Sequence, residues 1–283
     1  MKKIAFVLLS AVMTCFCGYA KELEGKDLQA VNIALESNLG VSEFETLEEK
    51  LTYLEGIEGQ IEEFGSGISD ESKLICRSIM RLQKETAKTE ELLKQEKDQK
   101  KKNNKREKDP EVEAMIMGWF KEYEDFAQTH SDLSSHFWFH YKEAEFATLS
   151  YLSMSRQIEI LKNIVDDYKK IEEMNPDYGE NLFTYGMSLY MAPKMAGGDK
   201  QAGIEKIYKA TQVSSTNYEK VSALVVYSQL LFEDKKYDDA KKYLLEAREL
   251  SPSKKRYDEM LEMNAAGYSI FKADDYRKKN KKQ

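Results

Sequence analysis

"LYMAPKMAGGDKQAGIEKIYKA", Leu189 to Ala210, places two helix-like segments on either side of Pro193 and Gly197-Gly198-Asp199. Upstream, Leu182, Tyr185, Gly186 and Leu189 share a helical spacing. Downstream, Gly203, Ile207 and Ala210 do the same. Such a pattern predicts a helical hairpin whose turn has been enlarged. A lone glycine inside a helix costs about 1 kcal/mol against alanine. Close approach of two backbones is therefore the natural reason for Gly203. Asp199 stands where a helix cap is needed, with a side-chain oxygen for the free N–H groups of the first turn.

The pattern recurs. Leu224-x-x-Tyr227-Ser228-x-x-Leu231 is followed by Ala240-x-x-x-Leu244-x-x-Ala247-x-x-x-x-Pro252, with the turn Lys235-Lys236-Tyr237-Asp238-Asp239 between. Gly186 to Gly203 is five residues longer than Ser228 to Ala240, the length of the insert. These spacings resemble the tetratricopeptide repeat (TPR). The resemblance implies stacked helical hairpins with a small residue at each crossing and a superhelix that binds protein partners. It is strong over 180–252. A third first-helix pattern, Met263-x-x-Ala266-Gly267-x-x-Ile270, reads as a capping helix. Ile164, Tyr168, Ile171 and Pro176 read as a degenerate second helix, paired with a longer one near 132–152.

The rest of the chain reads as all-α. It holds only four prolines, no β-branched alternation, and abundant Leu, Glu, Lys, Ala and Met. About eleven helices are expected, with N-terminal capping boxes at Ser42-x-x-Glu45, Asp177-x-x-Glu180 and Thr216-x-x-Glu219. Residues 21–96 read as an N-terminal helical region. It is broken near Gly40 and at Gly65-Ser66-Gly67, and its third helix carries Ile75, Ile79, Leu82, Thr86 and Leu93 on a hairpin or coiled-coil stripe. Residues 97–109 have seven bases, three acids and no apolar residue, a charged linker or helix end. Residues 110–283 form the repeat domain.

Met1 to Ala20 has a basic start, an apolar run and small residues at Gly18 and Ala20, the pattern of a signal peptide. Cys15 and Cys17 leave lipid anchoring open. Losing this leader removes Lys2 and Lys3 and no acid, so the net charge moves from −7 to −9 and Cys76 is the one cysteine left. The mature chain then rests on its core rather than on disulfides, and its acidic balance disfavours nucleic acid. The leader, the repeats and the "AP…GGD" insert together resemble the periplasmic T component of TRAP transporters. That resemblance implies a helical partner of a solute-binding protein with a hydrophobic pore.

In a hairpin stack the first helices line the concave face. With Leu182, Tyr185 and Leu189 turned to the paired helix, Phe183, Met187 and Tyr190 face the groove, and Val225, Gln229 and Phe232 follow by the same registration. This candidate binding groove is apolar with a single amide. It suits an amphipathic helix, an extended peptide or an apolar small molecule, unless residues 21–96 fold back to cover it. His136, His140 and Glu143 share one helix face and have the geometry to hold zinc, but no acid follows the first histidine as zinc peptidases require. Phe137, Trp138, Phe139 and Tyr141 read as core packing, so no metal, cofactor or catalytic set is expected. The expected role is an exported scaffold or adaptor in the periplasm or cell envelope, with protein as partner. The alternative is an accessory component of solute transport holding an apolar ligand or docking a solute-binding protein.

Overall fold

A computed structural model describes residues 22–98 and 110–280. The leader through Lys21, most of the charged stretch (99–109) and the last three residues lie outside it. The described residues form twelve α-helices and no strand. They are α1 (Gly25–Gly40), α2 (Leu47–Glu62), α3 (Asp70–Asp98), α4 (Pro110–Thr129), α5 (Ser135–Ala147), α6 (Met154–Met174), α7 (Gly179–Met191), α8 (Lys200–Val213), α9 (Asn217–Glu233), α10 (Tyr237–Leu250), α11 (Lys255–Ala265) and α12 (Ala273–Asn280).

Consecutive helices pack as pairs. The closest are α7 with α8 and α9 with α10, and α8 then stacks on α9. The α7/α8 pair crosses at two glycines. A Cβ on Gly203 would stand 2.6 Å from the Gly186 carbonyl oxygen and 2.9 Å from the Tyr190 nitrogen. A Cβ on Gly186 would stand 2.7 Å from Ile207 Cγ1. The next pair has room for slightly more: Ser228 and Ala240 occupy the equivalent places, both fully buried.

The Pro193–Gly198 turn is a short 3-10 segment, Lys194–Ala196, closed by Gly197 at φ 82°, a left-handed conformation open to glycine. Asp199 Oδ1 accepts from the backbone N–H groups of Gln201 (3.0 Å) and Ala202 (3.1 Å), so it caps α8 as expected.

Thr216 and Glu219 form the anticipated capping box on α9. Thr216→Ala should cost about 1 kcal/mol, read as a lower urea midpoint with an unchanged slope; an unmoved midpoint would remove the cap from the stability of α9. The other two boxes are corrected. Helix α1 runs through Gly40 into a 3-10 turn, Val41–Glu43, so Ser42 donates back to the Leu39 carbonyl, and the real box is Thr46 with Glu49. Asp177 caps nothing, because α7 starts after Tyr178, and the Glu180 carboxylate turns inward to accept from the Tyr178 hydroxyl.

Two further expectations change. Helix α3 is covered by α1 and α2 on one side and touches α5 on another. Ile75 and Ile79 of the expected stripe are buried, together with Cys76, Met80, Gln83 and Ala87, while Leu82 and Thr86 are exposed and the Leu93 side chain lies outside the described residues. Gln83 donates across to the Ala34 carbonyl (3.0 Å) and to Ser37 (2.8 Å) on α1. The 263–270 pattern is a helix end rather than a helix. Gly267 has φ 86°, and Tyr268 N–H returns to the Met263 carbonyl while Gly267 N–H returns to Asn264. Those two bonds make a Schellman stop for α11. Helix α11 buries Tyr257 and Met260 and packs on α10.

The largest apolar cluster runs from Leu23, Val31 and Leu54 through Ile75 and Met80 to Trp119, Phe137, Tyr168 and Leu189. The N-terminal helices are thus part of the same core as α4 to α7. Helix α1 also packs on α9, where the Asn217 N–H donates to Glu36.

Candidate functional site

Helix α5 sits at the centre. Ser134 caps it, accepting from Phe137 N–H (3.1 Å), and Glu71 of α3 in turn accepts from the Ser134 backbone and hydroxyl (2.9 and 2.6 Å). Every residue from Ser135 to Tyr141 is buried, so this helix has no wet face. Burial pulls His136 down to about 4 and His140 down to about 3, with His136 adding to the second shift. Both imidazoles are neutral near pH 7. His136 packs on the Tyr178 ring at 4.2 Å. His140 points its Nε2 at Glu180, 3.7 Å away and beyond hydrogen-bond reach. Glu143, the third member of the expected trio, accepts instead from Tyr168 (3.1 Å). Among the described residues no group of three His, Cys, Asp or Glu side chains is placed to hold a metal ion. Cys76 is buried, and burial pushes its thiol up to about 12, so it is a packing residue with little thiolate character.

Beside His140 lies a cavity of about 190 Å³. Six helices wall it: α1 and α3 from the N-terminal region, α4 and α5 from the centre, and α7 and α9, the first helices of the two hairpins. Its polar lining includes Glu143, Glu180, Glu219 and His140; Trp119, Phe139, Phe183 and Tyr218 give it aromatic walls. Among the described residues no lysine or arginine lines it. Glu219 is well satisfied, its Oε2 accepting from Ser215 and Thr216 (2.8–3.1 Å) and its Oε1 from the Glu180 N–H. Glu143 and Glu180 each accept one side-chain hydrogen bond, from a tyrosine hydroxyl. Burial raises both carboxyls above the ordinary range, Glu180 strongly so because Glu219 and Glu143 lie near it.

The six groove residues do not form one open surface. Phe183 lines the cavity. Met187 is half-buried beside it on α7. Tyr190 meets the paired helix instead, next to Gly203 and under the Lys200 ammonium (5.3 Å). Val225 is buried with Tyr257 and Met260 of α11, and Leu39 of α1 packs on that cluster. Gln229 is fully buried, its Oε1 accepting from the Ile270 N–H (3.1 Å). Phe232 packs on the Tyr237 ring (5.0 Å). The helices on either side of α9 therefore cover this stripe, and the apolar groove expected from the repeat pattern is closed along α9.

Apolar surface lies elsewhere. Met154, Ile158 and Leu161 form an exposed i, i+4, i+7 row on α6. One turn further, Val165 abuts Gly197 of the enlarged turn, which carries Met195, 96% exposed, after an exposed Met191. Sequence spacing does not separate this patch, because the row borders the buried stripe of Ile160, Tyr168 and Ile171 and reads with it as one broad apolar face. No family model matches the chain, and no curated protein matches it.

Proposed function

We propose that this chain is a TPR-like scaffold or adaptor of the cell envelope, and that it holds a protein partner on the apolar surface made by α6 and the 191–197 turn. The row Met154, Ile158 and Leu161 beside Met191 and Met195 carries this reading. Large apolar side chains clustered on a surface mark an interaction site more often than singly scattered ones do. Methionines, unbranched and polarisable, adapt to a partner's helix face. The five-residue insert that distinguishes the first hairpin from the second supplies part of this surface, which gives the Pro-Gly-Gly turn a purpose beyond linking two helices. The envelope address rests on the leader-like start of the chain, and the TPR reading on the small-residue crossings of two successive hairpins.

The test compares the mature chain with an Ile158→Glu/Leu161→Glu variant as bait in envelope extract, with Lys241→Glu as a control. Both apolar positions are exposed, so the variant is expected to keep its helical circular dichroism and thermal midpoint. It should lose the captured partner at least tenfold, while the control retains it. Equal capture by the folded double variant would place the interface elsewhere.

A further inference from the structure

The cavity between the N-terminal helices and the hairpins has a chemistry unlike that of the outer patch. We infer that it binds a small primary ammonium compound, a single –NH3+ group on a compact apolar body. Four features of the site point to that ligand. Three carboxyl groups, those of Glu143, Glu180 and Glu219, line it from three different helices, and among the described residues no cationic side chain does. Its walls are aromatic, and the faces of Trp and Tyr attract cations. His140, itself 6% exposed, has an Nε2 with no hydrogen-bond partner. The volume, about 190 Å³, is below the roughly 300 Å³ at which sites for drug-sized ligands begin.

The geometry selects a primary ammonium over other cations. His140 Nε2 and Glu180 Oε2 face each other across 3.7 Å, too far to bond and close enough for one group to bridge. A neutral imidazole nitrogen can accept, a carboxylate oxygen accepts, and an ammonium carries three donors. One –NH3+ seated there donates to both and has a third hydrogen for Glu143. A quaternary ammonium has no hydrogen to give, and a neutral alcohol leaves the carboxylates unbalanced. Burial holds Glu143 and Glu180 toward their neutral forms, and a cation seated between them would favour the carboxylates. The tyrosine hydroxyls of Tyr168 and Tyr178, already bonded to Glu143 and Glu180, fix the two carboxyl groups in place before a ligand arrives.

Calorimetric titration of the mature chain decides the matter, with n-butylammonium as the probe and tetramethylammonium, 1-butanol and butyrate as comparisons. Saturable binding of n-butylammonium at millimolar concentrations or below is expected. The quaternary ion should bind at least tenfold more weakly, and the alcohol and the carboxylate should not bind. Glu180→Gln should weaken n-butylammonium at least tenfold while leaving partner capture through Ile158 and Leu161 unchanged. Should Glu180→Gln fail to fold, the ranking of the four probes on the wild-type chain still decides. No saturable heat with n-butylammonium, equal binding of 1-butanol, or a folded Glu180→Gln variant that binds as tightly as wild type would each overturn the assignment.

Discussion

Gly203→Leu is expected to destabilise the protein by about 3 kcal/mol, the upper end of the usual cost of overpacking. The first atom of any side chain at this position would already overlap the backbone of α7, at the Gly186 carbonyl and the Tyr190 nitrogen. Backbone cannot rotate out of the way as a side-chain tip can, so the two helices must separate. Gly203→Ala sharpens the result, because two effects compete there with opposite sign. Helix propensity alone favours alanine by about 1 kcal/mol; the crossing geometry opposes it. A drop in the urea midpoint on Gly203→Ala means that close approach wins. A gain of the size that propensity predicts would mean that the helices do not cross at Gly203.

Acid should weaken the fold through its two buried histidines. Both have folded values lowered below the ordinary 6.5, to about 4 for His136 and about 3 for His140, because burial opposes their charge. As pH falls below 6.5 the unfolded chain takes up these two protons first, and the folded chain takes them up only near the lower values. The stability they support is complete above 6.5 and is lost on the way down. Each pH unit of displacement is worth about 1.4 kcal/mol, so each histidine removes roughly 3 kcal/mol by pH 4. Glu143 and Glu180 act in the opposite sense. Their folded values are raised, so their contribution is present in acid and is lost as pH rises through those raised values. The histidine contribution is isolated by following the imidazole signals themselves. Neither should titrate near 6.5, and His136→Gln should flatten the acid limb of the stability curve. Imidazoles titrating near 6.5 would show that α5 is open to water.

The hairpins could be read from spacing because a close helix crossing needs a small residue wherever backbones meet, and Gly186, Gly203, Ser228 and Ala240 record that locally. Asp199 and the Thr216–Glu219 box were legible for the same reason, since a cap acts within one turn. The cavity was not. Its walls come from helices up to about two hundred residues apart in sequence. Glu180 and Glu219 carry the pattern of helix caps, and only Glu219 is one. Helices α5 and α9 bury more than one side, which erases the periodicity that separates a groove face from a core face. The pattern of Val225, Gln229 and Phe232 is that of an apolar stripe, and it fits a groove and a covered interface equally well. What decides between them is the placement of α1 and of α11 with the segment after it, and no spacing along α9 encodes that. The 263–270 pattern failed because a left-handed glycine at a helix end has the same sequence appearance as a small residue inside a helix.

The central claim is that the partner docks on the outer surface of α6 and the 191–197 turn, with the inner face of the hairpins closed by the chain's own helices. Site-specific photo-crosslinking in intact source cells tests it most directly, with a photo-reactive phenylalanine analogue placed either at Ile158 or at Phe183. The account predicts a discrete crosslinked partner from Ile158, and from Phe183 only crosslinks within the chain, to α1, α3 or α9. A partner captured from Phe183 and none from Ile158 would contradict it and return the binding site to the inner face.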